Sequence, residues 1–383
     1  MNTYRILKKL AGVALLAMVG AGAASAAKAP VVGMYYFDGW ADRTPGNYHI
    51  STLPTKYPER EPLSGWYDDS AKLVHQQIKW ARRAGVNFFI FDWYDPKRIT
   101  NAHDQSLNSA TAFFRADKHR HGMRYALLYV NNGGFSVPPA EWDDLCHRWV
   151  TENFKRPGYF KIDGKPLLVV FSAGDMRKAW GGDAGVASAW GRLRATAKAA
   201  GLPGVFVVCC ATPGPKNGWT NLDDLAKEGY DAYSGYNYPG VAGTVKGANP
   251  YQRLIDGSVD IWNDFAADGR RPYIPVVTDG WDAQPWNETP FWYVRTPAEV
   301  EDFVARAVSW EREHPKMEVL DKTPLIFIEA WNELGEGSYV VPTHGAGFTY
   351  VDAIHRGLHV SLRSDGPEKD AQKARNPANS HLW

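Results

Sequence analysis

The apolar run Leu325-Ile326-Phe327-Ile328 passes directly into Glu329-Ala330-Trp331-Asn332-Glu333-Leu334-Gly335-Glu336-Gly337. Glu333 and Glu336 are three positions apart, so a turn or a first helical turn would place both carboxyls on one side. Two carboxyl groups flanking one bond, one of them able to hold a proton near neutral pH, suit cleavage of a glycosidic bond. Gly335 and Gly337 allow the chain to bend tightly and a substrate to come close. Two solvated loop glutamates would share this spacing. The buried strand and the Trp-Asn pair that precede them favour the chemical reading. No HExxH and no GxSxG occurs, which argues against a zincin or a serine hydrolase.

Other apolar runs also end in polar and aromatic residues. Tyr35-Tyr36-Phe37-Asp38-Gly39-Trp40, Asp92-Trp93-Tyr94-Asp95, Asn131-Asn132, Tyr236-Asn237-Tyr238 and Thr278-Asp279-Gly280-Trp281-Asp282 are the cases. From these ends Tyr36, Trp40, Asp92, Trp93, Tyr94, Asn131, Tyr236, Tyr238, Trp281 and Asp282 are candidate substrate-binding residues, with Glu329, Trp331 and Asn332 beside the glutamate pair. Asp92 and Asp95 could hold a metal, but hydrogen bonds to sugar hydroxyls are the favoured role and no metal site is expected. The chain has 16 Trp and 19 Tyr, and several lie in loop-like stretches, among them Trp66, Trp286 and Trp292. Rings there are poorly explained as core and could stack on the flat faces of sugars.

The elements that must bring these ends together alternate regularly. Strand patterns at residues 31–37, 86–93, 125–130, 167–171, 205–210, 232–236, 273–278 and 325–330 alternate with helical patterns at 70–84, 111–120, 142–154, 187–200, 222–228, 251–267, 296–314 and 350–360. The strand runs are almost continuously apolar, as parallel strands covered on both faces must be. Eight such units predict an α/β fold, a single-domain (β/α)8 TIM barrel, whose site lies at the C-terminal ends of the strands. An open doubly wound sheet is the alternative, but no glycine-rich nucleotide loop follows the first strand.

Residues 1–26 read as a secretory signal peptide, with Arg5, Lys8 and Lys9 ahead of a short apolar stretch and Ala24-Ser25-Ala26 at the cleavage point. Export to the periplasm or medium is the expectation. The barrel is expected over 27–363 and a loose polar tail over 364–383. With 43 basic and 42 acidic residues the net charge is +1, which argues against nucleic acid and membrane surfaces as partners. No membrane anchor is expected, and a monomer is. A disulfide from Cys146 to Cys209 or Cys210 is left open. The absence of CxxC makes a structural zinc site an unpromising reading.

The segment Trp331-Asn332-Glu333-Leu334-Gly335-Glu336-Gly337 resembles the Trp-Asn-Glu-Trp-x-Glu-Gly signature of glycoside hydrolase family 99. That family holds endo-α-mannosidases and endo-α-mannanases, and related proteins from polysaccharide gene clusters carry the name of glycosyltransferases. The blocks Tyr67-Asp68 with 84–94, Tyr159-Phe160-Lys161-Ile162-Asp163-Gly164-Lys165-Pro166 and Thr278-Asp279-Gly280-Trp281-Asp282 are similar to family blocks in the same order. The resemblance implies Glu336 as general acid/base and Glu333 as the carboxylate that deprotonates the sugar's own 2-hydroxyl. A 1,2-anhydro sugar then forms and water opens it with net retention. No metal or organic cofactor is implied. Leu334 replaces the usual Trp, and Glu329 stands where a small polar residue is usual.

Two further readings stay beside a retaining endo-glycosidase acting on an oligosaccharide or polysaccharide. One is a polysaccharide-modifying transglycosylase or glycosyltransferase-like protein using the same pair while excluding water. The other is a carbohydrate-binding barrel without catalysis, against which the paired glutamates speak. The leader speaks against a transferase fed by cytoplasmic nucleotide sugars, though not against transglycosylation.

Overall fold

The computed structural model describes residues 28–212, 221–286 and 288–360. The expected leader and the expected polar tail lie outside the described residues. Eight parallel strands form the central sheet: β1 (Val31–Tyr36), β2 (Phe88–Trp93), β3 (Arg124–Tyr129), β4 (Lys165–Val170), β5 (Phe206–Cys210), β6 (Ala232–Ser234), β7 (Val276–Thr278) and β8 (Leu325–Glu329). Pairing runs β6-β5-β4-β3-β2-β1-β8-β7. The ring is closed between β6 and β7 by a parallel bridge of Tyr233 with Tyr273, through Tyr233 N–H to Pro272 O (2.9 Å) and Ile274 N–H to Tyr233 O (2.9 Å). The fold is therefore the expected (β/α)8 barrel, in one domain. β7 is shorter than its apolar run because Pro272 and Pro275 offer no N–H to the ladder.

Helices cover the outside. α1 (Ala71–Ala84) starts at Ser70, whose hydroxyl accepts from Leu73 N–H, and stops at Gly85 in the left-handed region (φ 95°), where glycine carries no Cβ penalty. α2 (Ser109–Ala116) starts earlier than its local pattern suggests. Its first turn is capped from afar: Asp38, just past β1, accepts from Ala110 N–H (2.8 Å), Thr111 N–H (2.8 Å) and Thr111 Oγ1 (2.7 Å). α3 (Trp142–Trp149) passes into a π-helical turn at Val150–Phe154 instead of continuing as one α-helix.

α4 (Ala173–Trp180) is a helix the periodicity did not reveal, although Ser172 caps it and Gly181 ends it with φ 68°. α5 (Asp183–Ala199), α6 (Leu222–Leu225), α7 (Tyr251–Asp268), α8 (Pro297–Glu313) and α9 (Thr349–Val360) complete the layer. α8 carries a full capping box between Thr296 and Glu299. Asp163 and Gly164, both at positive φ, make the two-residue hairpin that feeds β4. Cys146, Cys209 and Cys210 are buried free thiols.

Candidate functional site

Glu333 and Glu336 sit not on a helical turn but on a small hairpin just beyond β8. Asn332 pairs antiparallel with Tyr339, and Glu333 with Ser338. Glu333 is on the first arm and Glu336 on the tip. The tip is held from two sides. Arg60 donates to Leu334 O (2.9 Å) and to Asp282 Oδ2 (2.6 Å), while Asp282 N–H donates to Glu336 O (2.5 Å). A Cβ on Gly335 would stand 2.0 Å from the Trp286 ring, and one on Gly337 2.7 Å from Asp282 N. The two glycines therefore admit neighbouring protein, a more immediate reason than substrate approach.

Tyr236, just past β6, reaches across the barrel mouth. Its hydroxyl lies 2.6 Å from Glu333 Oε1 and 2.9 Å from Asp92 Oδ2. Asn237 Nδ2 donates to Glu336 Oε2 at 3.3 Å. Glu329, the last residue of β8, is wholly buried near Ser338, and among the described residues neither of its carboxyl oxygens has a well-formed hydrogen bond. Asp92 Oδ1 and Glu333 Oε2 are likewise buried without one. The Tyr236–Asn237 side opens onto a cavity of about 350 Å³ lined by Phe171, Ser172, Asp175, Cys210, Tyr236 and Tyr238, among others.

Electrostatics follow from burial. Desolvation pushes Glu333 up to about 8, against the donation it receives from Tyr236. Desolvation and then repulsion by Glu333 hold Glu336 well above the usual carboxylate range. Desolvation does the same to Glu329, with Glu336 the nearest-acting charge. It also does so to Asp92, with Glu333 adding repulsion. Charging a buried carboxyl is costly and charging neighbours together costs more, so the cluster retains protons at neutral pH. Among the described residues no group of three or more His, Cys, Asp or Glu is disposed to hold a metal ion.

Several expected contact residues turn out to serve the wall. Tyr36 faces away from the mouth, its hydroxyl between Asp68 Oδ2 (2.6 Å) and Gln77 Oε1 (2.9 Å). Trp331 donates to the same Gln77 oxygen at 2.9 Å. Trp93 packs edge-on against Trp149 of α3. Asp95 pairs with Arg148 at 2.9 Å. Successive strand residues point to opposite faces, so every second side chain at a strand end must leave the cleft. Asn131 binds Ser172 through its N–H (2.9 Å) and carbonyl (2.8 Å), joining the ends of β3 and β4. Asn332 does the same to Phe37 (2.9 and 3.0 Å). Asp282 is engaged by Arg60.

Trp40 is buried and donates to Asn332 O (2.9 Å). Trp281 has only 5% of its surface exposed and donates to Thr289 Oγ1, so it offers little open face for stacking. Tyr94 is nearly buried and lies edge-on to Phe135. Tyr238 lines the cavity but spends its hydroxyl on Tyr273 Oη (2.9 Å) and Ala211 O (3.1 Å). Asp92, Tyr236, Glu329, Glu333 and Glu336 are brought together. Two residues of the mouth were not singled out beforehand. Asn237 sits between two recognised tyrosines. Phe171, half-buried beside Tyr236 (ring centroids 5.1 Å), was taken as strand.

Solved structures share this parallel (β/α)8 barrel. A "Glycoside hydrolase-like protein" superposes with TM-score 0.62 at 15% identity, over 89% of this chain and 96% of that one. The GH99 endo-α-mannosidase from Bacteroides thetaiotaomicron superposes with TM-score 0.58 at 14% identity, over 89% and 98%. The chain belongs to the Glycosyltransferase WbsX family, whose model matches residues 139–354. The protein WxcX of Xanthomonas campestris pv. campestris (strain B100) is 28% identical over 142 residues, 34% of this chain. That match covers 20% of the relative, so the chain spans about a fifth of its length.

Proposed function

We propose that the protein is a retaining glycoside hydrolase, endo-acting on an exported or environmental polysaccharide, either α-mannan-like or a bacterial exopolysaccharide. One observation carries the reading: Glu333 and Glu336 share one hairpin at the barrel mouth, with no cation paired to either among the described residues and one buried oxygen of Glu333 unbonded. Glu336 holds the proton that the leaving oxygen receives. Glu333 takes the proton of the sugar's 2-hydroxyl, whose oxygen attacks the anomeric carbon as the glycosidic bond breaks. Water then opens the 1,2-anhydro ring, giving its proton to Glu336, while Glu333 returns one to the 2-oxygen. The GH99 likeness in fold and the matching Trp-Asn-Glu and Glu-Gly positions support this order of roles.

The test is incubation of the purified protein with α-mannans and bacterial exopolysaccharides, reading reducing ends, product sizes and, by proton NMR, the first-formed anomer. Retained configuration and large fragments are expected. Inversion, or full activity in Glu333→Gln, would overturn the mechanism. The family's own name favours a second reading, transglycosylation, in which a sugar hydroxyl replaces water. It is distinguished by longer products appearing without new reducing ends.

A further inference from the structure

Tyr236 Oη has one proton and two carboxyl neighbours, Glu333 Oε1 at 2.6 Å and Asp92 Oδ2 at 2.9 Å. A phenol can give its proton to one of them and must accept from the other. One of the two carboxyls must therefore be a carboxylic acid. The shorter contact marks Glu333 Oε1 as the stronger acceptor and so the one that receives the phenol proton, and the longer one lies in the range of a neutral pair. Asp92 lies on the inner face of β2, 3% exposed, and its other oxygen Oδ1 has no partner. Among the described residues no Lys or Arg acts on it. The groups around it are Tyr35 and Asp38 from the β1 end, Tyr94 beside it, Cys210 at the end of β5, Tyr236, Glu333 and Glu336. All of these are neutral or acidic, so the Tyr236 hydroxyl is the one neighbour among them that could favour an ionised Asp92, and it is shared with Glu333.

We propose that Asp92 is a protonated positioning residue that donates its proton to Tyr236, turning the Tyr236 hydroxyl onto Glu333 and so making Glu333 the member of the catalytic pair that ionises first. The inference rests on the hydrolase reading only for what Glu333 then does, since the location of the proton stands apart from it. The relay Asp92–Tyr236–Glu333 explains how two glutamates of similar surroundings keep different roles. Glu333 receives a strong donor, whereas Glu336 receives only the longer amide contact from Asn237.

The experiment has two arms. The first is difference infrared spectroscopy at pH 7 of the intact protein against Asp92→Asn, read in the carboxyl region. Loss of a protonated carboxylic acid C=O band supports the proposal, and loss of carboxylate bands instead overturns it. This arm needs no substrate, so it survives failure of the hydrolase reading. The second is the acidic limb of the kcat/KM profile. Asn in place of Asp92 keeps a neutral donor to Tyr236, so kcat falls but the limb stays where it is. Asp92→Val removes the donor, loosens Tyr236 and moves the limb to higher pH, with a larger loss of kcat than in Asp92→Asn and KM little changed. Were Asp92 an anion in the native protein, both variants would remove a repelling charge and move the limb to lower pH by a unit or more. That outcome would overturn the proposal.

Discussion

Two groups of buried or half-buried carboxyls share the mouth of this barrel and are treated in opposite ways. Asp279, fully buried at the end of β7, is gripped by Arg295, which also donates to Tyr339 O (2.9 Å) and lies over the Tyr350 ring at 4.1 Å. Asp282 is met by Arg60 and Asp95 by Arg148. At the centre of the mouth, Asp92, Glu333 and Glu336 take side-chain hydrogen bonds from Tyr236 and Asn237, and among the described residues no guanidinium pairs with them or with Glu329. The fold thus sets a guanidinium against each of Asp279, Asp282 and Asp95, and at the centre it does not. Several carboxyls without a cation that converge on one opening mark a chemical site, whereas carboxyl–guanidinium pairs mark scaffolding.

The largest effect should come from breaking a matched pair. Arg295→Ala leaves Asp279, itself held up to about 7 by burial despite Arg295, as an uncompensated buried acid. It also removes the contacts to Tyr339 and Tyr350. A loss of about 3–5 kcal/mol in unfolding free energy is expected, measured by urea titration at pH 7. A loss below about 1 kcal/mol would show that the two groups of acids are not different in kind.

Neutralising a member of the unmatched group should have the opposite sign. Burial raises the Glu333 pKa from 4.5 in the unfolded chain to about 8. The native state then enjoys full stability below pH 4.5 and loses it progressively as pH rises toward 8, because the unfolded chain releases a proton that the native state keeps. Glu333→Gln should therefore match the native protein at pH 4 and exceed its stability by a few kcal/mol at pH 9, the gap opening between those values. Hydrolysis should fall by ~10²–10⁴ in the same variant. Equal melting curves at both pH values would show that Glu333 is not buried as a proton holder.

A third comparison sets the two kinds of aromatic apart. Phe171 is half-buried on the cavity wall, whereas Trp281 is enclosed and hydrogen-bonded to Thr289. Phe171→Ala should weaken saccharide binding by roughly 1–3 kcal/mol with little change in Tm. Trp281→Ala should lower Tm first. Isothermal titration with product oligosaccharide alongside thermal melts separates the two, and the reverse pattern would restore Trp281 as a stacking platform.

The barrel was legible because its evidence is periodic and local: apolar strand runs, Ser70 and Gly85 around α1, Thr296 and Glu299 at α8. What escaped depended on contacts far apart in sequence. α2 takes its cap from Asp38, some seventy residues earlier, and β7 is cut short by Pro272 just before its apolar run and Pro275 within it. The glutamate pair was readable from its position after β8. The helix-or-turn choice was not, because the hairpin that carries it is fixed by Arg60, Trp286 and Asp282. Strand ends announced which segments reach the mouth, but alternation then sends Tyr36, Trp93 and Asp95 outward. Choosing the inward set needs the register, which one sequence does not give.

The smallest effect belongs to Asn237, and it tests how finely the unmatched group is tuned. Its amide donates to Glu336 Oε2 at 3.3 Å, near the long end for a hydrogen bond. Donation favours the charged carboxylate, so this contact pulls the Glu336 pKa down against the desolvation and the repulsion by Glu333 that push it up. In the proposed mechanism Glu336 must be protonated to serve the leaving oxygen, so activity is lost as pH rises through its pKa. Removing the amide in Asn237→Ala raises that pKa and should carry the alkaline limb of kcat/KM to higher pH. The shift should stay under about half a unit, since a long neutral contact stabilises an anion by well under 1 kcal/mol. The acidic limb, which follows Glu333 through Tyr236, should not move. A shift of the alkaline limb to lower pH would mean that Asn237 presents its oxygen to a protonated Glu336, and the amide would then be holding the acid in place instead of easing its proton away.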